Sequence, residues 1–189
     1  VNSGISCGDA SDITVMGTRL YFEANDGSTG YELWAHETIN GSTWQVADIN
    51  TGSGWGYANE ITVMGTRLYF EANDGSTGYE LWAHETTNDS TWQVADIISG
   101  ISSGYANGIT VMGTRLYFQA RDGSTGYELW AHETTNGSTW QVADIYSGFS
   151  SGYPNDFTVM GTRLYFEARD SSYGYELCIM EIEHEITYS

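Results

Sequence analysis

The chain has 189 residues, 40% of them hydrophobic, which is enough apolar material for one domain with a core. It has 25 acidic residues against six arginines and a net charge of −19. So negative a chain repels nucleic acid and anionic lipid, and we expect no nucleic-acid partner. No apolar run approaches the roughly 20 residues of a membrane-spanning helix, so we expect no membrane insertion.

Internal repetition is the strongest signal in the sequence. The segment ITVMGTRLYF begins at Ile13, recurs at Ile61 and Ile109 in steps of 48 residues, and returns as FTVMGTRLYF at Phe157. The segments YELW and WQVADI recur with the same step, although the last YELW has become YELC. Four copies of one unit argue against a β-trefoil, which needs three.

The order of the repeats predicts a closed ring. The pattern stops at Ser189, which is equivalent to Gln45, and resumes at Val1, which is equivalent to Ile49. The last repeat therefore leads almost directly into the start of the first. We expect a single domain, residues 1–189, with repeats at 13–60, 61–108, 109–156, and 157–189 completed by 1–12.

Four short strands are predicted in each repeat. In the first repeat they lie at 13–16, 19–24, 31–37 and 43–49. The first two are joined by a Gly17-Thr18 turn, and residues 25–30 (NDGSTG) predict a hairpin loop, because Asn, Asp and Gly tolerate positive φ. Strands such as 20–22 are apolar on both faces, as in sheets stacked between neighbours. The sequence therefore predicts an all-β, four-bladed β-propeller.

The repeat also resembles a known family. The segments GYELW at 30–34, VADI at 46–49 and GTRLYF at 17–22 are similar to the ELWxxDGT repeat family over nearly the whole chain. Where the family pattern has Asp-Gly-Thr, residues 37–42 read ETINGS. The resemblance implies a propeller-like, often extracellular protein and supplies no catalytic residues. The layout is also similar to hemopexin-type domains, in which one disulfide ties the first and last of four blades.

Two cysteines and three glycosylation sequons favour a secreted protein. Cys178 stands where the other repeats have tryptophan, and Cys7 lies in a connection between repeats. A Cys7–Cys178 disulfide would join the two ends of the ring and stabilise it by about 4–5 kcal/mol; two separate thiols are the alternative. N-x-S sequons lie in predicted turns at Asn40, Asn88 and Asn136. The first residue is Val1, not Met, so either a leader was removed or the sequence was trimmed, and the cysteines and sequons favour a removed leader.

Candidate catalytic groups are few, and we expect no enzyme. The histidines of the third strands would lie roughly 15 Å from the ring axis and could not converge; they are His36, His84 and His132. Glu32 and Glu37 are expected to be solvated strand residues. Residues 25–27 (NDG) have the composition of a calcium loop without its alternating ligands. We therefore predict no metal site and no cofactor, with calcium at these loops as the alternative.

Aromatic side chains beside planar polar groups favour a carbohydrate ligand. The tyrosines of the glycine-rich connections and the aspartates of the hairpin loops are the predicted ligand-binding residues: Tyr57, Tyr105, Tyr153, Asp26, Asp74 and Asp122. The sequence thus predicts a multivalent, lectin-like binder of carbohydrate or glycoprotein. A structural or interaction glycoprotein of a matrix or surface is one alternative, and a carrier of an apolar small molecule or pigment is another. An oligomer is compatible with either.

Overall fold

The computed structural model describes residues 10–181, and this part of the chain is made of strands, turns and loops. Fifteen strands form four antiparallel sheets, and within each sheet the strands are neighbours in chain order. The described residues include no helix long and apolar enough to cross a bilayer. The prediction of an all-β chain is confirmed.

Each sheet corresponds to one repeat. Sheet 1 contains β1 (Ser11–Met16), β2 (Arg19–Asn25), β3 (Tyr31–Glu37) and β4 (Thr43–Ala47). Sheet 2 contains β5 (Asn59–Met64), β6 (Arg67–Asn73), β7 (Tyr79–Glu85) and β8 (Ser90–Ala95). Sheet 3 contains β9 (Asn107–Met112), β10 (Arg115–Ala120), β11 (Glu128–Glu133) and β12 (Ser138–Ala143). Sheet 4 contains β13 (Asn155–Met160), β14 (Arg163–Asp170) and β15 (Gly174–Glu181). Positions equivalent to β4 begin at residue 187 in this repeat, outside the described part.

The first strand of each repeat starts two residues earlier than predicted, because it begins with a β-bulge. Pairing between β1 and β2 changes register between Ser11 and Thr14, and Asp12 within this stretch has a φ of 50°. Glu60 and Asp156 occupy the equivalent position with φ values of 59° and 54°. A bulge inserts an unpaired residue and increases the local twist. The predicted range 13–16 was too short because it followed the apolar residues alone.

The chain divides into two compact units between Ile109 and Thr110. In unit 1, Tyr21 and Leu33 of sheet 1 pack in one buried cluster with Leu68 and Phe70 of sheet 2. Burying such a side chain fully stabilises the fold by about 1.5–3 kcal/mol. The Thr14 hydroxyl also donates to the Ile61 carbonyl at 2.8 Å, and so links the first strands of the two sheets. The prediction of one domain over residues 1–189 stays a prediction.

In unit 2, the core lies between sheets 3 and 4, where Leu129 packs in one cluster with Leu164 and Phe166. The other face of sheet 4 is apolar and exposed: Leu177 is 71% exposed and Ile179 is 57% exposed. The equivalent positions in sheet 3, Leu129 and Ala131, are 1% and 0% exposed. Sheet 4 thus presents to solvent a face that the preceding repeat buries.

Candidate functional site

Three glycine-rich segments join the last strand of one repeat to the first strand of the next. We name them connector 1 (residues 50–58), connector 2 (98–106) and connector 3 (146–154). Each contains one of the tyrosines predicted to bind ligand: Tyr57, Tyr105 and Tyr153. The connectors and the hairpin loops after β2, β6 and β10 lie at the same end of their strands, so they form the candidate site.

A buried glutamate of the third strand holds both ends of each connector. Glu32 accepts the Ile49 N–H at 2.7 Å and the Gly56 N–H at 2.9 Å. Glu80 and Glu128 make the equivalent bonds at 2.7–2.8 Å, and all three residues are 0% exposed. The expectation that Glu32 is a solvated strand residue was wrong, because the connector folds back over its carboxylate. The same bond explains why β4 ends at Ala47, two residues before the predicted end.

The acids beneath the connectors have raised pKa values. Burial raises the pKa of Glu32 and Glu80 to about 7, although backbone N–H donors act in the opposite direction. Burial also raises the pKa of Glu71 to about 8, with a further contribution from Glu60 and Glu80. One Glu71 carboxylate oxygen is buried without a hydrogen-bond partner among the described residues. Because these acids lose their protons near neutral pH in the folded protein, the free energy of unfolding depends on pH in that range.

The predicted tyrosines form rigid stacked pairs. Each is half-buried, has a φ between 46° and 57°, and donates its N–H at 3.0 Å to the carbonyl of its partner tyrosine. The ring pairs are Tyr31–Tyr57 (centroids 5.7 Å apart, 7° between planes), Tyr79–Tyr105 (5.6 Å, 13°) and Tyr127–Tyr153 (5.5 Å, 21°). A positive φ is strained for a bulky residue, so the surrounding hydrogen bonds must hold the backbone of each tyrosine in place.

In unit 1 the stacked pairs continue into one row of rings. Tyr57 lies 5.9 Å from Tyr79, which joins the pair of the first repeat to that of the second. Burial raises the pKa of Tyr79 to about 12, with contributions from Tyr57 and Glu71. Its phenol therefore stays protonated and can donate a hydrogen bond at any physiological pH.

Trp55 is a site residue that the sequence-based prediction missed. Its ring is 51% exposed and meets Tyr31 and Tyr57 edge to face, at centroid distances of 5.6 and 5.5 Å. The equivalent residues in the other connectors are Ser103 and Ser151. Alignment of the repeats could have singled out Trp55, because it is a large aromatic at a position where the other repeats have serine or, at Cys7, cysteine.

The predicted aspartates lie in the neighbouring hairpin loops, but their carboxylates are engaged by those loops. Asp26 accepts the N–H groups of Ser28 at 2.8 Å and Thr29 at 2.9 Å. These bonds, that of Thr29 first, hold the pKa of Asp26 well below its usual range. Asp74 and Asp122 make the equivalent bonds. The aspartates thus shape the loops beside the tyrosines, and the calcium alternative at these loops stays a prediction.

A cleft of about 480 Å³ in unit 1 lies at the other end of the strands. Arg19, Tyr21 and Glu37 line it together with Thr86, in the turn that follows β7. Arg19 already pairs with Glu37 at 3.3 Å and lies over the Trp44 ring, 5.4 Å from its centroid. Glu37, expected to be solvated, is therefore an ion-pair partner, and the cleft has no charged group left unused among these residues.

The three sequon asparagines lie in exposed turns, as predicted. Asn40 and Asn136 accept the N–H of the serine two residues later at 2.9 Å, and Asn88 does so at 3.1 Å. These bonds use the amide oxygen, whereas a glycan attaches to the amide nitrogen. Their glycosylation stays a prediction.

The histidines belong to the sheets. His36, His84 and His132 each hold a threonine hydroxyl of the neighbouring strand through Nδ1, at 2.8–2.9 Å. Burial lowers the pKa of His84 below its usual value. Within residues 10–181, no group of three His, Cys, Asp or Glu side chains is arranged to hold a metal ion.

Of the predicted disulfide, one half can be described. Cys178 is half-buried and packs against the core cluster of sheets 3 and 4, and burial raises the pKa of its thiol. Within the described part of the chain this thiol is free. Cys7 lies outside the described residues, so the Cys7–Cys178 disulfide stays a prediction.

Comparison with known proteins identifies the fold. Neither a protein-family model nor a curated protein sequence matches the chain. Among solved structures, it is similar to TolB from Acinetobacter baumannii (TM-score 0.58, 13% identity, 87% of this chain and 38% of that one). It is similar to a puromycin-hydrolyzing peptidase from Mycobacterium tuberculosis (0.65, 9%, 92% and 27%). It is also similar to the β-propeller domain of the Trilobed protease from Pyrococcus furiosus (0.55, 9%, 95% and 56%).

These likenesses concern architecture alone. Identities of 9–13% show a shared fold and carry no argument about activity in either direction. The chain spans 27–56% of the length of these three structures. Its repeated antiparallel sheets therefore have the architecture of β-propeller proteins.

Proposed function

We propose that this protein is a secreted, non-enzymatic, lectin-like protein that binds carbohydrate or glycoprotein at its connectors. The observation that carries the proposal is the stacked tyrosine pair, which recurs in three repeats in nearly the same geometry. Aromatic rings suit the C–H faces of sugars, and rings held rigidly lose little entropy on binding. The strained φ of each tyrosine fits a binding role, because strain concentrates at functional sites.

The predicted aspartates contribute by shaping the site. Each closes its hairpin loop through its own hydrogen bonds, and the glycine that ends the loop lies against the connector. In the first repeat, a β-carbon on Gly30 would lie 2.6 Å from Trp55, so the loop and the connector touch. Sugar hydroxyls can bond to the outer lone pairs of Asp26, Asp74 and Asp122 or to the phenol groups.

Recurrence of the site gives weak single contacts a useful avidity. A shallow stacking site holds a monosaccharide in the millimolar range, about −4 kcal/mol. Several sites on one rigid scaffold can raise avidity by a factor of about 100 or more when the target displays repeated sugars. The preferred target is therefore a polysaccharide or a glycan-covered surface.

A glycan array followed by titration calorimetry tests the proposal. We expect binding to arrayed glycans, and we expect its loss when Tyr57, Tyr105 and Tyr153 are all replaced by alanine. Tyr173→Ala is the matched control, since this tyrosine is 78% exposed and lies outside the connectors. The proposal is contradicted if the native protein binds no glycan on a broad array. It is also contradicted if the triple substitution leaves glycan binding unchanged.

The proposal includes four blades that close into one ring. Its support is the exposed face around Leu177 and Ile179, because the equivalent residues of the other repeats are buried. In a closed ring, the first sheet covers this face. Near-identical repeats then require that residues 18 and 162, which occupy equivalent turns, lie as far apart as residues 18 and 66.

Spin-label distances test closure directly. Labels at Thr18 and Thr66 give the spacing of neighbouring repeats, and labels at Thr18 and Thr162 report on closure, both in a background with the native cysteines replaced by serine. Equal distances support the ring. A clearly longer Thr18–Thr162 distance contradicts it.

A structural or interaction role is the second candidate. Connectors 2 and 3 each carry a fully solvated apolar side chain, Ile101 and Phe149, both 85% exposed. Such side chains favour contact with an apolar protein surface. Pull-down of a protein partner in the absence of any sugar inhibition would favour this role. Visible absorption of the natural material would instead indicate the pigment carrier.

A further inference from the structure

Connector 1 differs from connectors 2 and 3 at the position where a serine hydroxyl accepts a backbone N–H at the start of the third strand. In connectors 2 and 3, the hydroxyl oxygens of Ser103 and Ser151 accept the N–H groups of Tyr79 and Tyr127, both at 3.0 Å. Trp55 occupies this position in connector 1 and has no acceptor to offer. The chain has thus exchanged a fold-supporting hydroxyl for a half-exposed indole. Residues that give up a hydrogen bond on which the equivalent repeats rely are expected at functional positions.

The Trp55 ring is held in place on two sides. Tyr31 and Tyr57 meet it edge to face at interplanar angles of 81° and 84°. Gly30, at a φ of 79°, lies so close that any β-carbon would collide with the indole and with the Gly54 carbonyl. An aromatic that is both rigid and exposed binds with little loss of side-chain entropy.

A side-chain amide that only connector 1 carries is bonded to the main chain of Trp55. The Asn50 side-chain NH2 donates to the Trp55 carbonyl at 3.3 Å, which ties the carboxamide to this residue. The equivalent positions carry Ile98 and Tyr146, which have no amide to offer. Connector 1 therefore combines an exposed indole with a side-chain amide, whereas connector 3 has the exposed Phe149 and the Arg169 guanidinium over its Tyr153 ring.

We infer that connector 1 is the principal carbohydrate site of the chain, with a pyranose ring stacked on Trp55 and its hydroxyls within reach of the Asn50 carboxamide. The inference rests on the proposed function and deepens it: the sites are unequal. Connectors 2 and 3, which have tyrosine pairs but no tryptophan, bind the same sugar more weakly. We therefore expect one strong site and two weaker ones.

Nuclear magnetic resonance resolves the three connectors within one molecule. Uniformly 15N-labelled protein is titrated with methyl β-D-glucopyranoside and, separately, with methyl β-D-galactopyranoside, while the backbone amides of Gly56, Gly104 and Gly152 report on each connector. For at least one of the two sugars, we expect the Gly56 signal to reach its midpoint at about five- to tenfold lower sugar concentration than the other two.

Two reciprocal substitutions test the role of the indole. Trp55→Ser gives connector 1 the residue that the other connectors carry, so the fold should be retained, and the Gly56 midpoint should rise to that of Gly104. Ser103→Trp should lower, several-fold, the sugar concentration at which the Gly104 signal reaches its midpoint. This second variant still tests the inference if Trp55→Ser unfolds the protein. Equal midpoints in the native protein, or a Gly56 midpoint unchanged by Trp55→Ser, overturn the inference and leave the proposed function standing. No shift at any connector with either sugar overturns the inference, whereas the proposed function falls only if the glycan array is silent as well.

Discussion

Replacing Glu71 by glutamine should stabilise the protein at alkaline pH and leave its stability nearly unchanged at pH 5. Glu71 is 6% exposed, one of its oxygens lacks a partner, and burial raises its pKa from 4.5 to about 8. The unfolded chain releases this proton near pH 4.5, whereas the folded chain holds it up to about pH 8. The contribution to the free energy of unfolding is therefore complete below pH 4.5 and is lost as the pH rises through 8.

The magnitude follows from the two pKa values. One pKa unit corresponds to about 1.4 kcal/mol, so the native protein should lose about 3–4 kcal/mol between pH 5 and pH 8 through this residue alone. Glu71→Gln removes that loss, because the amide does not titrate. The substitution has a precedent within the chain: Gln119 occupies the equivalent position in the third repeat and donates to the Pro154 carbonyl at 2.9 Å.

Urea unfolding of both proteins at pH 5, 6, 7, 8 and 9 measures the effect. The other buried acids, Glu32 and Glu80 among them, are common to both proteins, so the difference between the two curves reports on Glu71 and its coupling to Glu60 and Glu80. We expect the curves to meet near pH 5 and to separate by about 3 kcal/mol at pH 8. If the free energies of unfolding of the two proteins differ by the same amount at every pH, the reasoning that burial raises the pKa of Glu71 is refuted.

Three further predictions concern the loop at Gly30, the disulfide and the glycosylation sequons. Gly30→Ala should destabilise the protein by at least about 2 kcal/mol more than Gly27→Ala in thermal unfolding: both glycines have positive φ, but only at Gly30 does a β-carbon collide with backbone. Equal losses would show that the loop does not press on connector 1. Peptide mapping of unreduced protein should yield one peptide pair linked through Cys7 and Cys178, and quantitative alkylation of both thiols without reductant would rule the bridge out. Native material should lose mass on endoglycosidase treatment at the three sequon asparagines; a mass equal to that of the bare chain from the outset would contradict this.

The repeats made the sheets predictable, since each strand recurs in equivalent positions with turn residues at fixed offsets. Within a repeat, the Gly17-Thr18 turn and the Tyr31–Glu37 strand lie where the sequence placed them. The role of Glu32 was not predictable, because its partners in the chain lie 17 and 24 residues further on, in a segment with no strand pattern. The bulge at Asp12 was missed for a similar reason, since pairing register is set by the neighbouring strand.

The candidate site was predicted in part. The connector tyrosines were predicted to bind ligand, and the structure shows them half-buried and stacked, since Gly56 and Gly104 allow the connector to fold against the third strand. Trp55 carried a signal that comparison of the repeats could have found. The engagement of Asp26 by its own loop follows from ordinary turn chemistry, in which an aspartate side chain bonds the backbone two residues on.

A crystal structure of the protein soaked with the best hit from the glycan array tests the central claim most directly. The account predicts a pyranose ring stacked on Trp55 in connector 1, with weaker density against the tyrosine pairs of connectors 2 and 3. Sugar density at the Arg19 cleft or on the face of sheet 4, with the connectors empty, would contradict it.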